Sequence, residues 1–566
     1  MTTLSQPTRG SLVRAGIVVA SAASLWACTT SDSGVSVADI DTARLSDIVR
    51  VLASEEFEGR APGTPGEQKT VSYLIEHFTA LGLEPGGENG GWTQSVPLLH
   101  TRIRAPETIR VQFGDESLSL AQQADVEIST LRAADRIVID GAAVVFVGFG
   151  AHAPERQWDD FGDVDLQDKV AVFLVNDPDF AAATDEPVAG LFGNRRMTYY
   201  GRWTYKFEEA ARRGAMAALV IHETKAAGYG WNVASSSPGE NYALAHGEGE
   251  PEPLALQGWL HGDVAERLLT AAGHDLDELR VRARDPDFQA FELDGVTFHT
   301  DLDVTVEAID SNNVLARLPG TTRPNETIMV SAHWDAYGLG EPDAEGRQVR
   351  PGANDDALGT AGVLELARVL KAGPPLDRSV VFAAWTAEES GLLGSEAYAR
   401  DPLYPLETTV ANLTLDILLT AGAAHDVILV GEGQSELEDD LQRAANSQGR
   451  SVTPESLPEN GLFFRADHFS LARRGVPVLL IMAIAGGADL VDGGREAGDQ
   501  WIADYIANCY HQTCDAWDPD WDLRGAAEDI ALFNTIIADL GNATRWPQWK
   551  TGSEFKAIRE RSAGAR

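Results

Sequence analysis

Residues 379–391 read SVVFAAWTAEESG, an apolar run that ends in two adjacent carboxylates, Glu388 and Glu389. A short apolar run of this kind is typical of a strand that is buried on both faces. In a strand, neighbouring side chains point to opposite faces. Either one glutamate therefore faces away from the other, or the strand ends here and a loop turns both carboxylates inward.

Similar runs repeat on both sides of this stretch and alternate with helical patterns. The strand-like runs are ETIMVSAHWD (326–335), TVANLTLDILL (409–419), DVILVGEG (426–433) and VPVLLIMAI (476–484), and ALGTAGVLELARVLKAG (357–373) reads as a helix that ends at Gly373. Strands that alternate with helices indicate a parallel sheet covered on both faces. The sequence therefore predicts an α/β fold with a mostly parallel central sheet.

The chain has 566 residues, which is too long for one ordinary core and predicts two or more domains. The alternating pattern is interrupted at residues 135–290, which have glycines and aromatic residues of their own. We predict an inserted, β-rich domain there, between the two parts of a bipartite main domain, 39–134 and 291–546. Residues 547–566 are predicted to be a C-terminal tail.

The charge balance is strongly acidic, with 86 Asp and Glu residues against 45 Lys and Arg residues and a formal net charge of −41. Such a charge repels the phosphates of nucleic acids and anionic lipid headgroups. The composition therefore argues against a nucleic acid as a partner.

The first residues have the pattern of a targeting segment. Arg9 and Arg14 precede the apolar stretch AGIVVASAASLWA, and Leu25-Trp26-Ala27-Cys28 resembles a bacterial lipobox. That resemblance implies a signal peptide over 1–27, lipidation of Cys28 and a tether over 28–38. We therefore expect an exported protein, lipid-anchored in the cell envelope at the outer membrane or in the periplasm. A plain secretory signal with an incidental cysteine is the alternative.

Imidazole and carboxylate side chains follow the strand-like runs at the points where each strand is predicted to end. They are His333, Asp355, Glu388, Glu389, Asp416 and, further downstream, His511. Because sheets of this class bind ligands at the carboxyl ends of their strands, these groups are expected to meet. Each also has an ordinary structural reading, such as a helix cap or a solvated loop. Together they favour a metal site of carboxylate and imidazole ligands, which suits zinc, although manganese or cobalt could also bind.

Several blocks resemble the co-catalytic di-zinc aminopeptidase family, whose relatives include glutamate carboxypeptidase II. The blocks are EGRAPGTPGEQ, SAHWDAYG, PGANDDALGTAGVLELAR, WTAEESGLLGSEAYA and FRADHFSLARRGVPVLLI, and GRWTYKFEEAARRGA resembles a protease-associated domain. The resemblance implies a zinc exopeptidase fold with a protease-associated insert over 135–290, placed beside the mouth of the active site. It also implies two Zn²⁺ ions per chain and peptide substrates.

The resemblance also assigns roles to single residues. Asp355 would bridge two zinc ions. His333 and Asp416 would complete the ligand set of one ion, and Glu389 and His511 would complete that of the other. Glu388 matches the general base, and Tyr510 matches a tyrosine that stabilises the oxyanion, although it could also be a packing aromatic. Asp335 would fix the ring of His333, while Asp467 and His468 would hold a loop rather than bind metal. A cis peptide bond after Asp355 is implied as well.

The sequence leaves more than one function open. We predict an aminopeptidase, because an acidic site suits the α-ammonium group of a substrate. A carboxypeptidase or dipeptidase on the same scaffold needs cations for a terminal carboxylate, which Arg347 and Arg350 could supply. A non-catalytic binding module, or a single-zinc glutaminyl cyclase, would lack ligands that are present here.

The remaining cysteines, Cys509 and Cys514, flank Tyr510 and His511 in NCYHQTCD. In an oxidising compartment we expect them to form a disulfide that fixes the loop carrying both residues. Binding metal, or staying as free buried thiols, are the alternatives.

Overall fold

The strand Arg378–Trp385 is buried along its whole length and contributes to two different hydrophobic cores. In the computed structural model, which describes residues 39–104, 108–235, 239–245 and 252–563, Phe382 packs into one core and Ala383 into the other. The first core contains the helices Thr42–Leu52 and Leu358–Ala372. Alternate side chains thus point to opposite, covered faces, which explains why the run is apolar throughout.

One 15-stranded sheet runs through the described residues, and its parallel region carries the predicted strand ends. In this region Arg323–His333 lies between Arg378–Trp385 and Thr409–Leu415, and Val478–Ile481 follows at the edge, all in parallel. The strand Phe291–Leu318 pairs antiparallel with the other side of Arg378–Trp385. The sheet is therefore mostly parallel here, as the sequence predicts.

The α-helices are spread along the whole chain. They are Thr42–Leu52, Pro65–Ala80, Trp203–Arg212, Thr224–Ala227, Trp231–Ala234, Gly262–Ala271, Leu276–Arg282, Leu358–Ala372, Leu393–Arg400, Leu437–Ser447, His468–Ala472, Gly494–Asn508, Arg524–Asn542 and Lys556–Ala563. Among the described residues, none of them is both long and apolar enough to cross a membrane.

Two helix ends have clear local signals, and the end near Gly373 is the one that the sequence predicts. Asp41 caps the first helix by accepting hydrogen bonds from the backbone N–H groups of Ala43 and Arg44 at 3.0 and 3.1 Å. The helix that starts at Leu358 ends at Ala372, and Gly373 follows in an extended conformation. These local signals fix the helices against which the central strands pack.

A second region of the same sheet has its own hydrophobic core, and we call it the insert region. Its strands are Thr108–Phe113, Glu116–Leu120, Val126–Ser129, Arg136–Phe146, Val170–Leu174, Ala217–His222 and Leu256–His261. The first half of Phe291–Leu318 pairs with Thr108–Phe113 and Arg136–Phe146, and its second half pairs with Thr93–Ile103 and Arg378–Trp385. One continuous strand therefore belongs to both regions. The shorter strands are Glu84–Pro85, His152–Ala153, Trp158–Asp159, Glu240–Leu244, Gly338–Leu339, Val349–Arg350, Asp426–Leu429 and Ser451–Pro454.

In the structure, the insert region extends beyond both predicted boundaries, residues 135 and 290. Strands from Thr108 to Ser129 lie in the core of the insert region, so it begins before residue 135. It also does not end at 290, because Phe298 and Leu302 of the shared strand lie in that core. The alternation pattern shows where strands lie along the chain, but not which core each strand joins.

The predicted C-terminal tail is also folded onto the main body. Trp549 and Phe555 are buried and pack with Phe463 in the second core of the parallel region. The Trp549 indole donates a hydrogen bond to the carbonyl oxygen of Gly475 at 2.9 Å. The predicted signal peptide, the lipidation site Cys28 and the tether lie outside the described residues.

Candidate metal centre

The predicted ligands meet at the carboxyl ends of the parallel strands. His333 is the last residue of Arg323–His333, and Asp416 directly follows Thr409–Leu415. Asp355 lies in the tight turn Ala353–Ala357 that leads into the helix Leu358–Ala372. Since parallel strands end at the same edge of the sheet, residues far apart in sequence come together here.

Two groups of ligand atoms share one carboxylate. His333, Asp355 and Asp416 form the first group, and Asp355, Glu389 and His511 form the second, with the ligand atoms of each group within 4.8 Å of one another. The distance from His333 Nε2 to Asp355 Oδ1 is 3.2 Å, and the distance from His511 Nε2 to Asp355 Oδ2 is also 3.2 Å. The two imidazoles thus approach the two oxygens of one carboxylate, which is the arrangement of a bridging ligand. The peptide bond between Asp355 and Asp356 is cis.

Of the two adjacent glutamates, only Glu389 belongs to a ligand group, and Glu388 lies beside the first group. Their strand ends at Trp385, and a turn follows in which the backbone N–H groups of Gly391 and Leu392 bond to the carbonyl oxygen of Glu388. The turn brings both carboxylates into the same cavity, where Glu388 Oε2 is 3.9 Å from His333 Nε2 and Glu389 Oε2 is 3.5 Å from His511 Nε2. The strand therefore ends before the pair, which is the second of the two possibilities that the sequence leaves open.

Asp335 orients three members of the centre at once. Its carboxylate accepts hydrogen bonds from the backbone N–H groups of Glu388 at 3.0 Å and Glu389 at 3.4 Å. Its Oδ1 atom lies 3.6 Å from Nδ1 of His333, and that ring nitrogen also lies 3.2 Å from the Asp335 carbonyl oxygen. Asp335 thus holds the turn of the two glutamates against the imidazole of the first group.

The centre contains more buried negative charge than its own cations balance. Burial raises the pKa of Asp416 to about 8 and raises the pKa of Glu388 and Glu389 well above the usual range. Burial also acts to raise the pKa of Asp355, but the hydrogen bonds and charges of His333 and His511 together outweigh it and lower that pKa. For His333, burial acts to lower the pKa, and the Glu388 carboxylate and its neighbours raise it well above normal.

These residues fit a pair of divalent cations. Asp416 is 3% exposed, and its Oδ1 atom has no hydrogen-bond partner among the described residues. A buried carboxylate oxygen without a partner is costly. A cation between Asp416, His333 and Asp355 would satisfy that oxygen and offset the repulsion among the carboxylates.

Further residues that the sequence analysis missed hold the centre in place. Asp515 accepts hydrogen bonds from the backbone N–H groups of Asn354 and Asp355 at 3.0 and 3.1 Å. The hydroxyl of Tyr337 is 2.9 Å from Nδ1 of His511. Tyr337 stands two residues after Asp335, and Asp515 directly follows Cys514, so proximity to assigned residues was the available signal.

A buried arginine supports the same loops from the beginning of the chain. The Arg60 guanidinium donates hydrogen bonds to the carbonyl oxygens of Trp334, Pro351 and Gly352 at 2.7, 2.6 and 2.8 Å. Its stretch, EGRAPGTPG, reads as a simple turn in the sequence. The structure shows that this turn holds two of the three segments that carry ligands of the first group, those of His333 and Asp355.

The loop after the helix Gly494–Asn508 carries the last ligand. Cys509 and Cys514 form a disulfide, as the sequence predicts, and it closes the loop that contains Tyr510 and His511. The two rings lie in contact, with centroids 3.6 Å apart. Tyr510 also lines the cavity.

Two other predicted residues lie beside the centre and outside both ligand groups. Asp467 and His468 are buried, and the ring of His468 packs edge-on against Phe463 with centroids 4.9 Å apart. Burial raises the pKa of Asp467 to about 7 and lowers that of His468 to about 3. Neither residue is in a ligand group, and the loop-fixing role expected of them stays a prediction.

The ligand groups open into a cavity of about 290 Å³. Apolar side chains such as Leu462, Phe464 and Met482 form part of its wall, and the insert region contributes Arg202, Trp203, Thr204 and Glu208. Arg347 and Arg350, the predicted carboxylate clamp, are not among its lining residues, and Arg347 pairs instead with Asp343 at 2.7 Å. The cavity is thus shared between the metal centre and the insert region.

Comparisons with known proteins point to one family. The model described as Peptidase family M28 matches residues 313–534, a range that contains both ligand groups and Glu388. The chain is 26% identical over 248 residues to aminopeptidase Y of Saccharomyces cerevisiae, which covers 43% of this chain and 40% of that protein. It is 34% identical over 171 residues to aminopeptidase YwaD of Bacillus subtilis, which covers 29% of this chain and 34% of that protein. The matches thus span less than half of the length of these relatives.

Among solved structures, the aminopeptidase from Aneurinibacillus sp. strain AM-1 has a TM-score of 0.48 and 18% identity, over 90% of this chain and 96% of that one.

Proposed function

Residues 313–534 belong to peptidase family M28, and we propose that this protein is a zinc-dependent aminopeptidase that hydrolyses the N-terminal peptide bond of its substrates. The observation that carries the proposal is the pair of ligand groups that share Asp355, with Glu388 beside them. The aminopeptidases among the similar proteins support the same reaction.

The donor set fits two zinc ions. His333, Asp355 and Asp416 would hold one ion, and Asp355, Glu389 and His511 the other. Both groups offer imidazole nitrogens and carboxylate oxygens without a thiolate, which is typical of catalytic zinc. When bound, zinc ions of this kind polarise the scissile carbonyl and make the attacking water more acidic.

Glu388 would move the proton in this reaction. Its carboxylate lines the cavity, lies 3.9 Å from His333, and is in neither ligand group. It would take up a proton from the attacking water and deliver it to the leaving amine nitrogen. Its backbone N–H bond to Asp335 fixes the turn from which it acts.

Tyr510 would stabilise the oxyanion that forms on the scissile carbonyl. Its ring is held against His511, and its side chain lines the cavity. Burial raises the pKa of Tyr510 well above its usual value, so the hydroxyl keeps its proton at neutral pH and can donate a hydrogen bond.

A substrate with a free amino terminus suits the charge of the centre. Glu388, Glu389 and Asp416 all line the cavity, and their carboxylates would attract an α-ammonium group. A carboxypeptidase or dipeptidase is the second candidate, because Arg202 and Arg465 line the same cavity.

We also propose that the protein is exported and anchored through a lipid on Cys28. The lipobox-like tetrapeptide supports this, and the disulfide between Cys509 and Cys514 suits an oxidising compartment. Fractionation of cells that express the full chain tests it: the protein should pellet with membranes, and Cys28→Ala should release it.

The test of the activity compares matched substrates on one preparation. Peptides with a free amino terminus should be cleaved, and their N-acetyl counterparts should not. Removal of metal with a chelator should abolish cleavage, and two equivalents of Zn²⁺ should restore it. Cleavage of the N-acetyl peptides from their carboxyl ends would overturn the aminopeptidase assignment in favour of the carboxypeptidase.

A further inference from the structure

Two arginines line the cavity without a salt bridge to any described residue. Arg202 comes from the insert region and Arg465 from the parallel region, and neither side chain forms an ion pair or a hydrogen bond in the described part of the chain. Arg202 is 7% exposed, and its Nε atom is a buried donor without a partner. In a chain with 86 acidic and 45 basic residues, a buried cation without an acid beside it is unexpected.

The aromatic neighbours of the two guanidinium groups leave their N–H groups unused. The guanidinium carbon of Arg202 lies 5.7 Å from the ring centroid of Trp203, and that of Arg465 lies 6.0 Å from the ring centroid of Tyr229. Contacts with a ring face hold a guanidinium through its flat side. The edge of the group, which carries the donors, stays available for a carboxylate.

The other charged groups at this end of the cavity already have partners. Glu208 accepts a hydrogen bond from Arg473 at 2.9 Å, and Glu396 pairs with Arg474 at 2.8 Å. The helix Trp203–Arg212 begins at the cavity wall, with no acidic residue in its first turn and no side-chain cap. The N-terminus of this helix adds a partial positive charge to that of the arginines.

The two arginines interact with each other, and Arg465 also interacts with the centre. Arg465 interacts with Glu388 and Tyr510 of the centre, and it also repels Arg202. Burial, together with this repulsion, lowers the pKa of Arg202 to about 10, so the group stays charged at neutral pH. Two cations in mutual repulsion, one of them deeply buried, form a site for an anion.

We propose that Arg202 and Arg465 bind a carboxylate group of the peptide substrate, on the side of the cavity that faces the insert region. The inference rests on the proposed peptidase function and narrows its substrate class to peptides that carry this carboxylate. Two sources present the same chemistry: the terminal α-carboxylate of a dipeptide, and an acidic side chain near the cleaved bond.

Two pairs of substrates, assayed with the wild-type enzyme, distinguish the two possible sources of the carboxylate. Leu-Gly is compared with Leu-Gly-amide for the terminal carboxylate, and Glu-p-nitroanilide with Gln-p-nitroanilide for the acidic side chain. We expect kcat/KM to be at least about tenfold higher for the acid of one pair, because charge-assisted hydrogen bonds of a buried arginine contribute that much. Equal values within both pairs would overturn the proposal without any variant.

Variants then test whether the arginine causes the preference. Arg202→Gln should lower the acid-to-amide ratio toward one, chiefly through KM, and Arg202→Lys should restore part of it. Arg267→Gln is the matched control, because Arg267 is an exposed arginine of the insert region and its replacement should leave the ratio unchanged. The Tm of each variant shows whether it is folded.

A binding measurement keeps the inference independent of turnover. The ligand is Leu-Gly with a reduced, non-hydrolysable scissile bond, compared with its amide by calorimetry. Tighter binding of the acid to wild type than to Arg202→Gln supports the site, and equal binding contradicts it. Failure of the aminopeptidase proposal appears differently, as no cleavage of any peptide with a free amino terminus by the zinc-loaded enzyme.

Discussion

Replacing Asp335 by asparagine tests how the centre is held together. Asp335 is fully buried and contacts no part of the cavity, so it acts through the groups that it orients. Its Oδ1 atom accepts from the N–H of Glu388, and its Oδ2 atom accepts from the N–H of Glu389. An asparagine side chain is nearly the same size but has only one acceptor oxygen.

The expected size of the effect on stability and activity follows from these two hydrogen bonds. In Asp335→Asn one of the two backbone N–H groups faces an amide NH₂ instead of an oxygen, so one charge-assisted hydrogen bond is lost inside the protein. The free energy of unfolding should fall by about 2–3 kcal/mol. Because the turn carries both a ligand and the proposed base, zinc affinity or kcat should fall about 10- to 100-fold.

Three measurements on the same preparation check this. Urea unfolding of the metal-free protein gives the stability change, competition with a chromogenic chelator gives zinc affinity, and cleavage of Leu-p-nitroanilide gives kcat. Asp47→Asn is the control, because Asp47 is 73% exposed on the helix Thr42–Leu52. Wild-type zinc affinity and turnover in Asp335→Asn would refute the positioning role.

Four further predictions concern other parts of the protein. Glu388→Gln should keep two zinc ions per chain by elemental analysis while kcat falls about 10²- to 10⁴-fold, since the amide cannot accept a proton; wild-type turnover would exclude Glu388 as the base. Asp355→Ala should lose both ions and lower the Tm of protein assayed with zinc, because one carboxylate serves both groups; retention of one tightly bound ion would contradict the bridging role. Serine at both Cys509 and Cys514 should lower turnover or zinc affinity more than Tm, and two free thiols by mass spectrometry in protein from an oxidising compartment would disprove the disulfide. Burial raises the pKa of Glu127 to about 7 from an ordinary value of 4.5, so its contribution to stability is present below pH 4.5 and is lost as the pH rises through 7. In urea unfolding, Glu127→Gln should therefore have the same free energy of unfolding as wild type at pH 4 and a higher one at pH 8. An equal difference between the two proteins at both pH values would contradict this.

The sequence predicts the edge of the sheet that carries the centre, for a physical reason. A strand buried on both faces is mostly apolar, so a charged or ionisable residue at its carboxyl end marks the strand end, as His333 and Asp416 do. The residues that hold these ligands in place have no comparable signal in the sequence. Arg60 reaches the carbonyl oxygen of Trp334 across 274 positions of sequence. Only the three-dimensional path of the chain brings them together.

The lining of the cavity shows more clearly that the sequence does not reveal which distant residues meet. From the sequence, Arg347 and Arg350 were the candidates for a carboxylate clamp, because they stand between two predicted ligands. The structure places Arg202 and Arg465 in the cavity instead, from positions 263 residues apart in regions with separate cores. Closeness in sequence to a ligand is a weak guide once an insert folds over the site.

The shared strand Phe291–Leu318 affects both truncation and unfolding of the protein. Its first half completes the ladder of the insert region, and its second half completes that of the parallel region. Excising residues 135–290 would strip partners from the first half and expose an unpaired edge, which tends to capture another copy of the chain. A shortened enzyme would therefore be prone to self-association, and intact protein should lose both regions in a single cooperative thermal transition.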